Sequence, residues 1–239
     1  MIIDCHIHVK GGDEFRTENT AEEIIPVLDI SGIDKAVVFA MCTDPVTALQ
    51  MVYKEVCKFP NRLIGFSYAR PMYDRSVKEV LREGFEKYDM RGIKIHKGET
   101  IIHPDVAGPV YEIAIEYDYP CIMDTGNDLN AAYAVIKKYP ELKLILAHHG
   151  VPGGSVTAIN SVIDFVKDYP NVYLDTAYMP TYWKIRDAVN KLGSERIIFG
   201  SDGILLDPRT ELKKIEVLGF NDEQLENIRC NNIRKLIKI

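Results

Sequence analysis

The opening run Met1-Ile2-Ile3-Asp4-Cys5-His6-Ile7-His8-Val9 carries two histidines separated by one residue. Successive side chains of a β-strand point to opposite faces. His6 and His8 therefore share a face with Asp4, while Ile3, Cys5, Ile7 and Val9 take the other. Two neutral imidazoles near a strand end form half of a metal site, because imidazole is the commonest protein ligand for zinc and similar ions. A half-buried strand with its polar face toward water would show the same pattern. The other chemically capable residues separate the two readings.

Those residues stand at the ends of short apolar, β-branched runs. Ile93-Lys94-Ile95-His96 closes one run and Ile122-Met123-Asp124-Thr125-Gly126 another. Leu146-Ala147-His148-His149-Gly150 and Phe199-Gly200-Ser201-Asp202 close two more. Five of the six histidines fall at such ends, and His103 alone lies in an expected loop. Satisfied core histidines would scatter. A shared catalytic mouth accounts for the clustering better.

The elements that must position these groups are expected strands at Ile2–His8, Ala36–Met41, Leu63–Ala69, Gly92–His96, Pro120–Asp124, Leu142–His148, Asn171–Thr176 and Arg196–Ser201. Helical patterns follow at Ala21–Ser31, Pro45–Lys58, Asp74–Lys87, Val110–Tyr117, Leu129–Lys138, Val156–Asp168, Thr181–Leu192 and from about Thr210 onward. Eight strands each followed by a helix spell an α/β fold, the TIM (β/α)8 barrel, whose active site lies at the C-terminal strand ends. Continuous apolar strands such as Ala36-Val37-Val38-Phe39-Ala40 suit a parallel sheet covered on both faces. Tyr119-Pro120, Tyr139-Pro140 and Tyr169-Pro170 stop helices before the next strand, and Gly32 and Gly193 sit where C-caps belong. The first strand runs into Lys10-Gly11-Gly12-Asp13, which lacks the G-x-G-x-x-G spacing of an open nucleotide-binding sheet. The 239 residues read as one barrel domain, 1–239.

Composition narrows the function classes. Hydrophobic residues at 46% and charged ones at 27% describe a globular chain with a full core. A net charge of −6 argues against a nucleic-acid binder. No apolar stretch reaches the roughly 18 residues needed to cross a bilayer. The five cysteines are odd in number and lack C-x-x-C spacing, so reduced thiols in a cytoplasm are expected rather than a disulfide framework. The expected partner is a small-molecule substrate, with neither nucleic acid nor membrane. A homodimer is also expected, because small barrels of this type often pair.

Taken in order, the motifs resemble the amidohydrolase-related branch of the amidohydrolase superfamily. That branch includes aminocarboxymuconate-semialdehyde decarboxylase and related metal-dependent hydrolases. Asp4-Cys5-His6-Ile7-His8 stands for D-x-H-x-H, Gly92-Ile93-Lys94-Ile95-His96 for G-x-K-[LI]-H, and Leu146-Ala147-His148-His149-Gly150 for L-A-H-x-G. Asn171-Val172-Tyr173-Leu174-Asp175-Thr176 and Phe199-Gly200-Ser201-Asp202 match the last two strands. The resemblance implies that His6 and His8 bind one divalent metal ion, with zinc expected first and manganese or iron as alternatives. It also implies that His148 contacts substrate or water, and that Asp202 is both ligand and general base.

One position departs from the pattern. The family's V-x-x-H-T-G supplies a third histidine ligand, whereas this chain has Asp124 there. Asp124 is expected to bind the metal through a carboxylate oxygen, which shifts preference from zinc toward manganese or iron. The alternative is a metal-free pair of Asp124 and Asp202 doing acid–base work. Lys94 is read as balancing carboxylates such as Asp4, His96 as an anion-binding or proton-transfer group, and Arg70 as a clamp for a substrate carboxylate. Asp175 is a candidate to orient a neighbour, and His149 is expected to face away from the mouth. The activity implied is metal-dependent hydrolysis of a C–N or C–O bond in a small polar or carboxylate-bearing substrate. Nonoxidative decarboxylation, found in the same branch, is the alternative, and a barrel that binds a metabolite without catalysis is a third.

Overall fold

The β-branched runs become parallel staves in the computed structural model, which describes all 239 residues. They are β1 (Ile3–Lys10), β2 (Lys35–Ala40), β3 (Leu63–Gly65), β4 (Ser67–Tyr68), β5 (Ile93–His96), β6 (Cys121–Asp124), β7 (Leu144–Leu146), β8 (Val172–Asp175) and β9 (Ile197–Ile198). Two ladders run in the orders β1-β2-β3 and β4-β5-β6-β7-β8-β9. β3 and β4 are halves of the one strand expected at Leu63–Ala69, parted at Phe66. Phe66 N–H donates to Val38 O at 2.9 Å on one side, and Ser67 N–H donates to Gly92 O at 2.9 Å on the other. At the second seam Cys5 N–H donates to Phe199 O at 3.0 Å and His8 N–H donates to Gly203 O at 2.9 Å. These bonds complete the circle of an eight-staved α/β barrel. Gly200 permits the second seam, since a Cβ there would stand 2.9 Å from His6 Cβ.

Helices α1 (Ala21–Ser31), α2 (Pro45–Lys58), α3 (Val77–Lys87), α4 (Pro104–Glu116), α5 (Leu129–Lys138), α6 (Val156–Val166), α7 (Trp183–Leu192) and α8 (Pro208–Glu216) alternate with the staves. The chain closes with α9 (Asp222–Glu226), a π-helical turn over Asn227–Asn231, and α10 (Asn232–Ile237). Their starts follow from polar caps: Asp44, Asp128, Ser155 and Asp207 each accept a first-turn backbone N–H. Helix α4 begins at Pro104 instead of the expected Val110, because His103 caps it by accepting from Asp105 N–H. One hydrophobic cluster of 68 buried residues runs from Ile3 to Ile237, so the helices and staves share a core. No helix is long and apolar enough to cross a membrane.

Two expected strands are shorter than the sequence pattern suggests. The sixth stops at Leu146, and Ala147–Gly150 forms a single 3-10 turn in which His148 (φ 56°) and His149 (φ 52°) take left-handed backbone. The last shrinks from Arg196–Ser201 to Ile197–Ile198. The final helix braces that short stave from outside. Asn232 Nδ2 donates to Ser194 O at 2.8 Å and to Ile197 O at 2.7 Å, and the residue is buried. Asn232→Ala strands two carbonyls without a donor and is expected to cost about 1–3 kcal/mol. Urea unfolding checks this through a lowered midpoint at unchanged slope.

Candidate metal centre

The two rings of β1 meet the carboxylate that leaves β9. Asp202 Oδ1 lies 2.9 Å from His8 Nε2 and 3.4 Å from His6 Nε2. Its left-handed backbone (φ 63°) turns the side chain into the barrel mouth. His148 joins from the end of β7, and the ligand atoms of His6, His148 and Asp202 all lie within 4.8 Å of one another. Gly12 (φ +90°) lets the loop after β1 pass over this centre, since a Cβ there would stand 2.8 Å from His8 Cδ2.

Two rings are aimed by their outer nitrogens. His6 Nδ1–H donates to Asp175 Oδ2 at 2.8 Å, and His148 Nδ1–H donates to Ala177 O at 3.0 Å. These partners assign the tautomers and leave both Nε2 atoms facing inward. Asp175 therefore does orient a neighbour. Its Oδ1 also accepts the His148 backbone N–H at 2.7 Å, which holds the left-handed turn in place.

The structure brings neither Asp124 nor His8 into the His6–His148–Asp202 group, and His8 reaches it through Asp202. Asp124 Oδ2 stands 3.2 Å from His148 Nε2 and 3.2 Å from His96 Nε2, and its Oδ1 accepts Gly126 N–H at 2.8 Å. Asp124 thus bridges two imidazoles and reaches the first pair of rings through His148. Lys94 departs from its expected pairing as well. Its Nζ is 3.1 Å from His6 Nε2, and its charge faces Asp124, Asp202 and Asp175. Asp4 instead accepts the backbone N–H groups of His6 and Ser201, on the far side of the strand end. His149 is buried away from the pocket lining, but the reason is the turn, where its Nδ1–H donates to Asp175 O at 2.5 Å.

These groups line a cavity of about 420 Å³, in which Met41 and Cys42 are the hydrophobic members. His96 lines it, whereas Arg70 stands behind the wall, 3.8 Å from Glu99. Arg16, Cys42 and Glu99 also face the cavity. They lie just past β1, β2 and β5, and that position was the signal available for finding them.

Burial and charge divide the roles. Burial and the Lys94 charge outweigh Asp175 and bring His6 down to about 4, so the ring is neutral. Burial lowers His8 in the same direction. For His148 burial pulls down, but the hydrogen bond to Asp124 and the charges of Asp202 and Asp175 push it up to about 9. Asp124 and Asp202 resist ionisation by burial, yet their imidazole hydrogen bonds hold both well below the usual carboxylate range. The inward lone pair of neutral His6 beside the ionised Asp202 carboxylate fits one divalent ion. Lys94 Nζ stands 3.1 Å from the same nitrogen, and burial lowers its pKa.

Replacing Asp175 by Asn keeps the volume but puts an amide N–H against at least one of its three donors. Metal affinity is expected to fall about 10–100-fold, measured by competition with a chelating dye on protein whose circular dichroism is unchanged.

Solved structures share this barrel over its full length. 5-Carboxyvanillate decarboxylase from Sphingomonas paucimobilis superposes with a TM-score of 0.79 at 13% identity, over 100% of this chain and 99% of that one. 4-Oxalomesaconate hydratase from Rhodopseudomonas palustris gives 0.74 at 17% identity, covering 100% and 96%. Dihydroxybenzoic acid decarboxylase from Polaromonas sp. JS666, solved with manganese and 2-nitroresorcinol, gives 0.74 at 18% identity, covering 99% and 96%. At such identities the likeness establishes the fold. No curated protein sequence matches the chain. The sequence profile of the amidohydrolase family matches residues 3–239, and the chain belongs to that family.

Proposed function

We propose that the protein is a metal-dependent hydrolase that cleaves a C–N or C–O bond in a small polar substrate. The observation that carries this reading is the convergence of His6, His8, His148 and Asp202 on one cavity with an almost wholly polar lining. A divalent ion held by His6, His8 and Asp202 would supply Lewis acidity toward a substrate carbonyl and make a water more acidic. Zinc suits the nitrogen donors, and manganese, which the Polaromonas structure holds, suits the carboxylate.

The chain's own residues then move protons. Asp202 Oδ1 accepts from His8 Nε2–H at 2.9 Å, which leaves Oδ2 to accept a proton from the attacking water. Protonated His148 shares its Nε2–H between Asp124 Oδ2, 3.2 Å away, and the developing oxyanion. It next gives its proton to the leaving nitrogen or oxygen as the carbonyl carbon keeps the hydroxyl. His96, on the other side of Asp124 and 26% exposed, offers a route for reprotonation from solvent. Lys94 Nζ, 3.1 Å from His6 Nε2, stands beside the reacting centre.

The lining favours hydrolysis over the alternative. An aromatic acid needs apolar walls to bury its ring, and this cavity offers Met41 and Cys42 alone. Nonoxidative decarboxylation stays as the second reading because structural neighbours bear decarboxylase names. The five unpaired cysteines suit a reducing cytoplasm.

Chelation should abolish turnover of amide or lactone substrates, with recovery on adding zinc or manganese. His148→Gln and Asp202→Asn should each lower kcat by about 100-fold or more. Undiminished hydrolysis without any bound ion would sink the metal role. Release of carbon dioxide from aromatic carboxylates, with no hydrolysis, would favour the second reading.

A further inference from the structure

We infer that Glu99 makes this site select substrates whose far end carries an ammonium or other cationic nitrogen, and reject those ending in a carboxylate. The inference rests on the metal-centred reading above, which places the reacting bond at His6, His8 and Asp202.

The cavity walls carry five carboxylates (Asp13, Glu14, Glu99, Asp124 and Asp202) against two fixed cations, Lys94 and Arg16. With His148 protonated the lining holds two net negative charges, which a divalent ion would balance. Asp124 and Asp202 belong to the reacting end. Of the remaining three, Asp13 is spent, since both its oxygens accept from Thr17. Glu14 is exposed, so solvent and salt screen it.

Glu99 differs. Its side chain is 18% exposed, and its one ion-pair partner, Arg70, stands outside the cavity lining. Oε1 receives a weak donor, the Cys42 thiol, at 3.5 Å, and Oε2 stands 3.8 Å from Arg70, beyond hydrogen-bond reach. A mostly buried carboxylate with unfilled acceptor positions is a receptor for N–H donors, and a charged donor satisfies it best. The same flank holds a second unfilled group. Tyr68 is 1% exposed, its hydroxyl has no partner, and it feels the charges of Glu99, Arg70 and Cys42. Arg16 is the one cation on the outer wall, but it lies exposed on the loop after β1, where its attraction for a carboxylate is screened.

Three hydroxamates of matched length test this with the protein loaded with zinc or manganese. β-Alanine hydroxamate, butyrohydroxamate and succinate monohydroxamate share a metal-seeking head and differ in tail charge. By calorimetry the ammonium tail should bind about tenfold tighter than the neutral one, and the carboxylate tail about tenfold weaker. Glu99→Gln should bring all three within about threefold of each other, and Glu99→Lys should reverse the order. An equal or tighter carboxylate tail in the unmodified protein overturns the inference while leaving the metal centre standing. So does an ammonium preference that survives Glu99→Gln. Failure of all three probes to bind metal-loaded protein overturns the metal reading and the substrate class together.

Discussion

One buried carboxylate holds the centre together. Asp175 takes His6 Nδ1–H on Oδ2 and the backbone N–H groups of His148 and Ala177 on Oδ1. It thereby ties β1, the turn after β7 and its own stave β8 to one point. Removing a carboxylate from water is costly, and three donors with good geometry offset that cost here. Burial alone would raise its pKa, yet the hydrogen bonds from His6 and His148 and the charge of protonated His148 keep it low. The charge survives because the site is built around it. Without it His6 loses its aim and His148 loses the bond that fixes its left-handed backbone.

Asp124 shows how one exchange redistributes work. A histidine at this stave end would offer a single neutral nitrogen. A carboxylate offers two oxygens and a charge, and the structure spends them on His148, His96 and Gly126 N–H. The result is a chain of imidazole, carboxylate and imidazole from the half-exposed His96 inward to the cluster. It puts a carboxylate bridge where the family pattern has a ligand, and it accounts for the upward push on His148.

The sequence made the barrel and its floor legible because both depend on local periodicity. Alternation in β1 puts His6 and His8 on one face, and the terminal positions of the staves place His148 and Asp202 at the mouth. It did not reveal the turn at Ala147–Gly150. The apolar run continues smoothly into His148 and His149, and only bonds from Asp175, on another stave, bend it. Partners distant in sequence explain the other departures: Lys94 faces His6 instead of Asp4, and Asp124 faces rings from two further staves. The walls were the least visible. Arg16, Cys42 and Glu99 lie in connections with no period to read, and loops carry specificity because a rigid scaffold leaves them free to vary.

Charge balance in the floor argues for one ion and against two. The carboxylates Asp124, Asp175 and Asp202 meet Lys94 and the protonated ring of His148. A single divalent ion leaves that set with one positive charge. A second would add two more, and uncompensated charge away from bulk water is costly. The lone-pair count agrees, since Asp124 and His96 face each other and Lys94 Nζ holds the space beside His6. Decarboxylases and a hydratase use the same barrel. The barrel alone therefore does not decide which bond breaks, and that choice rests with the side chains at the strand ends and on the walls.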